Sequence, residues 1–213
     1  YGIKRVILPT GYQGKKIFEF VERFKDGFKF DIICHDTKID TPIAQRLVSV
    51  LPYSISETII LINGDCISDV DYSNVYSEHK KNNADLTAIS CSINSPLGLF
   101  RIEKNRPVSF ERESKISELV FKDNKNTLFY KIYSGICMIE KKALNNYKLD
   151  ELENFEIEFF NHLMQRGKVG FFHQNGLWVA LETPKDLELL ESENIYNDTV
   201  IKFKEYEKLL LKI

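Results

Sequence analysis

A chain of 213 residues, 43% of them hydrophobic, has the bulk for one sizeable core, or for one domain with a short appendage. Its net charge of −2, with no basic stripe, gives a nucleic-acid partner no support. No secretory-signal pattern and no apolar run near the ~18 residues of a membrane span is visible, so a membrane is not an expected partner. Cys34, Cys66, Cys91 and Cys137 lie in or just after apolar runs without paired spacing. They read as buried thiols of a reduced, cytoplasmic protein rather than as zinc ligands.

The hydrophobic period switches repeatedly along the chain. RVILPT (5–10) reads as a parallel strand, KKIFEFVERF (15–24) as a helix and FDIICHD (30–36) as a second strand. TPIAQRLVSVL (41–51) has Thr41 as N-cap and Pro42 at the first helical position. TIILIN (58–63) is greasy enough for the middle of a sheet. YSNVYSEHKKNN (72–83) reads as a helix capped by Asp71 and stopped by Asn82-Asn83, and DLTAISCS (85–92) as a strand. This alternation predicts βαβ units and a doubly wound, mostly parallel or mixed α/β sheet. After residue 95 come strands without helices between them, in GLFRIE, PVSFERE, SELVF and YKIYSGICMIE. A helix (155–166), a strand (168–174), a hairpin at Asn175-Gly176 and the strand LWVALE (177–182) follow. Thr183-Pro184 then opens another helix over 183–196, and the apolar residues of 198–213 predict an amphipathic helical tail. The domain is therefore expected over 1–196, with the tail at 197–213.

Three carboxylates follow the greasiest strand: Asp65, Asp69 and Asp71. Ligands of open α/β sheets bind at the carboxyl ends of strands. Asp65, just after Gly64, suits Mg²⁺ bridging to substrate phosphates, and Gly64 lets a ligand approach the backbone; the alternative is that Asp65 only opens a polar loop. Asp71 reads as a helix cap and Asp69 as a loop acid bonding turn amides. Their spacing also fits the metal-binding acid pair of many glycosyltransferases, although such a pair belongs at the strand end itself. Glu182 is a second carboxylate at a strand end, and alone it reads as an acid near a helix N-terminus. Trp178 reads as core packing and His79 as a solvated residue of a polar helix. His35 and His173 end strands; His162 reads as a packing or surface residue.

The ordered set is more specific than any one motif. ILINGDCISDVDYSNVYSEHKKNNADLTAIS resembles the middle of the sugar-1-phosphate nucleotidylyltransferases, with the closest likeness to glucose-1-phosphate cytidylyltransferases. LWVALETPKDLELLE is similar to a later segment of that family, where a metal-ligand Asp precedes Thr-Pro/Leu-x-Asp; that Asp is Glu182 here. SPLGLFRIEKNRPVSFERE is similar to the stretch leading to a Phe-x-Glu-Lys element, IYSGICMIE to the strand that holds the sugar, and DTKIDTPIAQRL to the nucleotide-binding turn.

The resemblance implies a nucleotidyltransferase (GT-A-like, Rossmann-type) fold and transfer from a nucleoside triphosphate to a sugar 1-phosphate, feeding polysaccharide synthesis. CTP is the nucleotide it points to, and Mg²⁺ the cofactor. By the same likeness Asp65 and Glu182 would hold the metal, and Arg112 would meet the sugar phosphate. Glu111 would orient the sugar or Arg112, Ser134 and Gly135 would line the sugar site, and Thr41 and Gly64 the nucleotide side. The family's opening strand and Gly-rich loop have no counterpart here, so activity is expected to need residues upstream of Tyr1. Its Thr-Gly-Gly turn is Thr41-Pro42-Ile43 here, its sugar-side Asn is Tyr133, and its Lys beside Glu111 is Arg112. Two other readings stand beside this one. One is a non-catalytic nucleotide-sugar-binding or regulatory relative; the other is a glycosyltransferase using Asp69 and Asp71. A homo-oligomer is also expected.

Overall fold

In a computed structural model of the chain, residues 2–95, 97–112, 114–122, 126–184, 186 and 188 are described. The expected tail at 197–213 and most of the helix after Thr183 lie outside them. The first half alternates as its periodicity requires. β1 (Arg5–Thr10), α1 (Gly14–Phe24) and β2 (Asp31–Asp36) form a parallel pair joined by a crossover helix. α2 (Ile43–Val50) leads to β3 (Thr58–Ile62), and β4 (Cys66–Ser68) leads to α3 (Tyr72–Lys81) and β5 (Leu86–Cys91). The helix-poor middle holds β6 (Ile93–Asn94), β7 (Leu99–Glu103), β8 (Arg106–Glu111), β9 (Lys115–Ile116), β10 (Leu119–Lys122) and β11 (Thr127–Tyr130). The long strand β12 (Ile132–Glu140), α4 (Lys141–Asn145), α5 (Phe155–Gln165), β13 (Val169–His173) and β14 (Trp178–Ala180) complete the fold.

The main sheet has the order β13-β5-β12-β3. β13 runs parallel to β5, while β12 is antiparallel to both β5 and β3, so the sheet is mixed. Side chains alternate across it and build two cores. Leu86, Cys137 and Ile139 meet Ala44 and Leu47 of α2 and Phe155, Phe159 and Leu163 of α5 on one face. Ile89, Ile136 and Met138 meet Val70 and Val75 beside α3 on the other. The result is an α/β/α arrangement with β12 as its buried axis, every residue from Ser134 to Glu140 being buried. All four cysteines are free; Cys91 and Cys137 are buried, Cys34 and Cys66 half-buried. Burial pushes the Cys137 thiol up to about 12 and the Cys91 thiol up to about 11. No described helix is long and apolar enough to cross a membrane.

Four local expectations need correction. The greasy β3 pairs with β12 alone among the described residues, so it stands at a sheet edge rather than in the middle. Its residues Ile59 and Leu61 nonetheless share a core with Ile7 of the separate β1–β2 pair. β14 does not fold back on β13 as a hairpin; it pairs antiparallel with β4. α2 begins one residue later than expected, with Pro42 at its cap, because the Thr41 hydroxyl donates to the Thr37 carbonyl instead of capping the helix. His79 is fully buried, not solvated. Its helix is polar in composition, but this position faces the sheet, where Nδ1 lies 2.7 Å from the Thr87 hydroxyl and Nε2 lies 2.9 Å from the Glu140 carboxylate.

Candidate functional site

The acid-rich stretch after β3 is not all loop. β4 and β14 set Trp178 opposite Ser68, Val179 opposite Ile67 and Ala180 opposite Cys66. One step further, the Leu181 amide donates to the Asp65 carbonyl at 2.7 Å. Asp65 and Glu182, far apart in sequence, thus flank the same ladder end. Asp65 stands one residue before Cys66 and Glu182 two residues after Ala180, the last paired residues of the ladder. Both are exposed, and neither carboxylate has a hydrogen bond or ion pair to a described residue. Gly64 beside them leaves open space where a Cβ would stand, so a ligand can reach that backbone.

The chain beyond Glu182 is held in place by a reciprocal cap. The Asp186 carboxylate accepts from the Thr183 amide at 2.7 Å, the Thr183 hydroxyl at 2.8 Å and the Glu182 amide at 3.1 Å. The Thr183 hydroxyl oxygen in turn accepts from the Asp186 amide at 3.3 Å. This fixes the backbone at the exit of the ladder.

A bulge in β12 ties the neighbouring segments together. Register shifts between Tyr133 and Ile136, and Gly135 adopts φ 74°. The Gly135 carbonyl accepts from the Asn63 amide at 2.9 Å, and the Ser134 carbonyl accepts from the Trp178 indole N–H at 2.7 Å. A Cβ on Gly135 would lie 2.8 Å from the Asn63 side-chain nitrogen, so Asn63 fills the space expected to face a sugar. Sequence reasoning passed over Asn63, although it immediately precedes Gly64. The expected role of Ser134 also needs correction. Its side chain is fully buried and its hydroxyl donates to the Ile89 carbonyl at 2.8 Å, so it offers nothing to a bound sugar. Tyr133 turns into the core, edge-on to Phe160 at 5.6 Å, and burial raises its pKa far above the usual phenol range.

The remaining acids do separate local work. The Asp71 carboxylate accepts from the Ser73 amide at 3.0 Å and the Asn74 amide at 3.1 Å, capping α3. The Asp69 carboxylate lies over Gly176, where a Cβ would come within 2.0 Å of its Oδ1, and its amide donates to the Leu177 carbonyl at 3.2 Å. Asp71 is committed to the α3 cap, which counts against the glycosyltransferase reading; the Asp69 carboxylate accepts no hydrogen bond from a described residue, against the expectation that it bonds turn amides. Glu111, exposed at the end of β8, accepts from the Ser109 and Ser114 hydroxyls at 2.9 and 3.2 Å. The Arg112 guanidinium lies over the Phe110 ring at 5.7 Å. Arg46 threads back to the Thr41 carbonyl at 2.7 Å, and with Thr41 bonded to Thr37 this loop is internally satisfied. Among the described residues no hydrogen bond or ion pair joins Thr41, Glu111 or Arg112 to Asp65.

The histidines serve structure. His173 sits 2.7 Å from the Ser90 hydroxyl, its pKa lowered by burial and then by Lys131 and Lys115. His35 packs on Tyr53 at 5.3 Å and His162 on Tyr147 at 4.7 Å. An open groove of about 910 Å³ lined by Lys4, Arg5, Lys25 and Lys29 lies at the amino ends of β1 and β2, away from their carboxyl edge.

No protein-family model matches the chain. It is 23% identical over 216 residues to a Bacillus subtilis (strain 168) protein described as a probable glucose-1-phosphate cytidylyltransferase, covering 92% of this chain and 80% of that one. It is 23% identical over 193 residues to a mannose-1-phosphate guanyltransferase of Yarrowia lipolytica, covering 87% of this chain but 50% of that protein's length. The crystal structure of HddC from Yersinia pseudotuberculosis matches with a TM-score of 0.61 at 18% identity, over 88% of this chain and 77% of the other. The same protein complexed with GMP-PN gives a TM-score of 0.58 at 19% identity, with the same coverage. At such identity the structural match speaks for the fold, and the fold alone does not assign chemistry. Sequence likeness over most of the chain, together with the mixed α/β architecture, places it among the relatives of the sugar-1-phosphate nucleotidylyltransferase family.

Proposed function

We propose that this chain makes a nucleotide sugar: a phosphate oxygen of a sugar 1-phosphate attacks the α-phosphorus of a nucleoside triphosphate, and pyrophosphate leaves. The observation that carries the reading is the β4–β14 ladder, which brings the Asp65 loop against the Glu182 turn. Mg²⁺ fits there. It binds through one or two carboxylates and completes its shell with water and phosphate oxygens. Asp65 and Glu182 are two unpaired carboxylates, and no cluster of three or more His, Cys, Asp or Glu ligands forms among the described residues. When bound, the cation would neutralise charge building on the phosphates. Around it, Gly64 leaves room for phosphate beside the backbone. Arg112 is exposed, a cation available to the sugar phosphate, and Glu111 is held by two hydroxyls beside it.

The named relatives divide between cytidylyl and guanylyl transfer, so CTP and GTP are both candidates for this chain. The test is pyrophosphate release from CTP, GTP, UTP and dTTP, each with glucose 1-phosphate and mannose 1-phosphate. It is run on this chain and on the protein extended by any residues that precede Tyr1. Mg²⁺-dependent release with one preferred triphosphate is the expected result; none with any pair overturns the reading. A second reading, a nucleotide-sugar-binding relative without the chemistry, is favoured by the Asn63 side chain standing over Gly135. It would show as saturable nucleotide-sugar binding without release.

A further inference from the structure

Polar side chains beside the Gly135 bulge are mostly committed to the protein itself. The Ser134 hydroxyl donates to the Ile89 carbonyl at 2.8 Å, and the Trp178 indole donates to the Ser134 carbonyl at 2.7 Å. Asn63 differs. It follows Ile62, the last residue of β3, and so stands at the carboxyl end of that strand, two residues before Asp65. Its backbone is fixed on both sides. The amide donates to the Gly135 carbonyl at 2.9 Å, and the carbonyl accepts from the Cys66 amide at 3.4 Å and the Cys66 thiol at 3.2 Å. The residue is exposed, and its side-chain amide makes no hydrogen bond to a described residue. That side chain nonetheless has a fixed place. Its Cβ, Cγ and Nδ2 lie 3.1, 3.0 and 2.8 Å from the point where a Cβ on Gly135 would stand, so it rests against a glycine at φ 74° that leaves it room.

A carboxamide presents two N–H donors and a carbonyl acceptor, and it carries no charge. It offsets nothing of a phosphate's charge, and the unpaired carboxylates of Asp65 and Glu182 are better ligands for a hard cation. A hydroxyl, donor and acceptor in one group, is what it matches. We propose that Asn63 is a substrate-contacting residue that hydrogen-bonds a hydroxyl of the sugar and thereby sets which sugar this chain accepts. The inference rests on the nucleotide-sugar reading, in its catalytic or its binding form, and names the sugar-selecting residue of that same site.

Local geometry supports a ligand contact over a purely structural role. An asparagine that shaped its turn would spend its side chain on nearby backbone, as Asp71 does on the Ser73 and Asn74 amides. Asn63 leaves the turn to its backbone groups. The sugar expected beside Gly135 meets the Asn63 amide there rather than bare backbone. Gly64, between Asn63 and Asp65, leaves open space where a Cβ would stand. A ligand lying over it can turn its phosphate to the cation side at Asp65 and its hydroxyls to Asn63. Because Gly135 already confines the side chain, little rotamer freedom is left to lose on binding.

The test compares the two substrates in one variant. With the triphosphate and sugar 1-phosphate that wild type prefers, Asn63→Ala should raise the sugar-phosphate KM by roughly 10–100-fold and leave the triphosphate KM within about twofold. In a form that binds without release, the same split should appear between Kd for the nucleotide sugar and Kd for its nucleoside diphosphate. Asn63→Asp keeps the shape but loses both donors, and it should weaken the sugar in the same way; it serves where the alanine variant does not fold. Single-deoxy analogues of the preferred sugar 1-phosphate then find the hydroxyl. One analogue should lose with wild type about what Asn63→Ala loses with the full sugar, and removing both partners should cost little more than removing one. The proposal is overturned if both KM values rise together, if both variants match wild type, or if every analogue adds its full penalty to that of the variant. A wild type that neither turns over nor binds any sugar ligand overturns the nucleotide-sugar reading itself, and the role of Asn63 with it.

Discussion

Replacing Glu140 with Ala should destabilise the fold by about 3 kcal/mol, and the figure follows from what one carboxylate oxygen accepts. Glu140 ends β12 with its side chain 12% exposed. Its Oε1 lies 2.9 Å from His79 Nε2, 2.8 Å from the Thr58 hydroxyl and 2.5 Å from Lys80 Nζ. Removing the acceptor strands the ring N–H of a fully buried His79, at a cost of about 1–3 kcal/mol. The Thr58 bond adds roughly 0.5–1.5 kcal/mol. Lys80 is 42% exposed and regains water, so it adds about 1 kcal/mol at most. For a domain of this size the loss should lower Tm by about 6–12 °C. Urea denaturation of Glu140→Ala beside Glu140→Gln measures it, because the amide oxygen still accepts from His79 and should recover about half the loss. An alanine variant within about 1 kcal/mol of wild type, or a glutamine variant equally damaged, would refute the reasoning.

Burial lowers the His79 pKa from its ordinary 6.5 despite the pull of Glu140, so the unfolded chain takes up a proton that the folded one refuses. Glu140 is held below 4.5 because bonds from Lys80, Thr58 and His79 outweigh its own burial. Stability should therefore fall as pH drops below 6.5, and fall further below 4.5. His79→Gln should flatten the first window, and a wild-type Tm constant from about pH 7 to 5 would contradict this. Gly135→Ala should cost about 1–3 kcal/mol, from φ 74° and a Cβ placed 2.8 Å from Asn63. Adding Asn63→Ala should recover only the contact part, and denaturation midpoints of the single and double variants measure the split. Asp71→Ala should cost about 1 kcal/mol through loss of the α3 cap while Mg²⁺-dependent activity survives. Loss of metal dependence in that variant would revive the glycosyltransferase reading.

The elements were legible wherever local period and tertiary burial agree. Ile17, Phe20, Val21 and Phe24 repeat at helical spacing and fall in α1, of which Val21 is buried and Phe24 half-buried while Ile17 and Phe20 stay exposed; Asp71 precedes a polar run and caps α3. What was not legible depends on partners far away. Cys66–Ser68 sits between acids and reads as loop, and it is a strand only because β14 returns to pair with it. The same return makes Asp65 and Glu182 neighbours, so the spatial half of the candidate site was hidden even though both residues stood out. His79 lies in a helix too polar to suggest a core position, and only Thr87 and Glu140, from two other elements, explain its burial. Ser134 carries no local sign that its hydroxyl is already committed to Ile89.

The central claim is that the Asp65 and Glu182 carboxylates together hold the cation that handles the phosphates. Pyrophosphate release titrated with Mg²⁺ tests it most directly, in wild type, Asp65→Ala and Glu182→Asp, using the form of the protein that shows activity. The account predicts that Asp65→Ala loses release at every Mg²⁺ concentration, while Glu182→Asp keeps it with a shifted Mg²⁺ midpoint. Release by Asp65→Ala equal to wild type, with an unchanged Mg²⁺ midpoint, would contradict it.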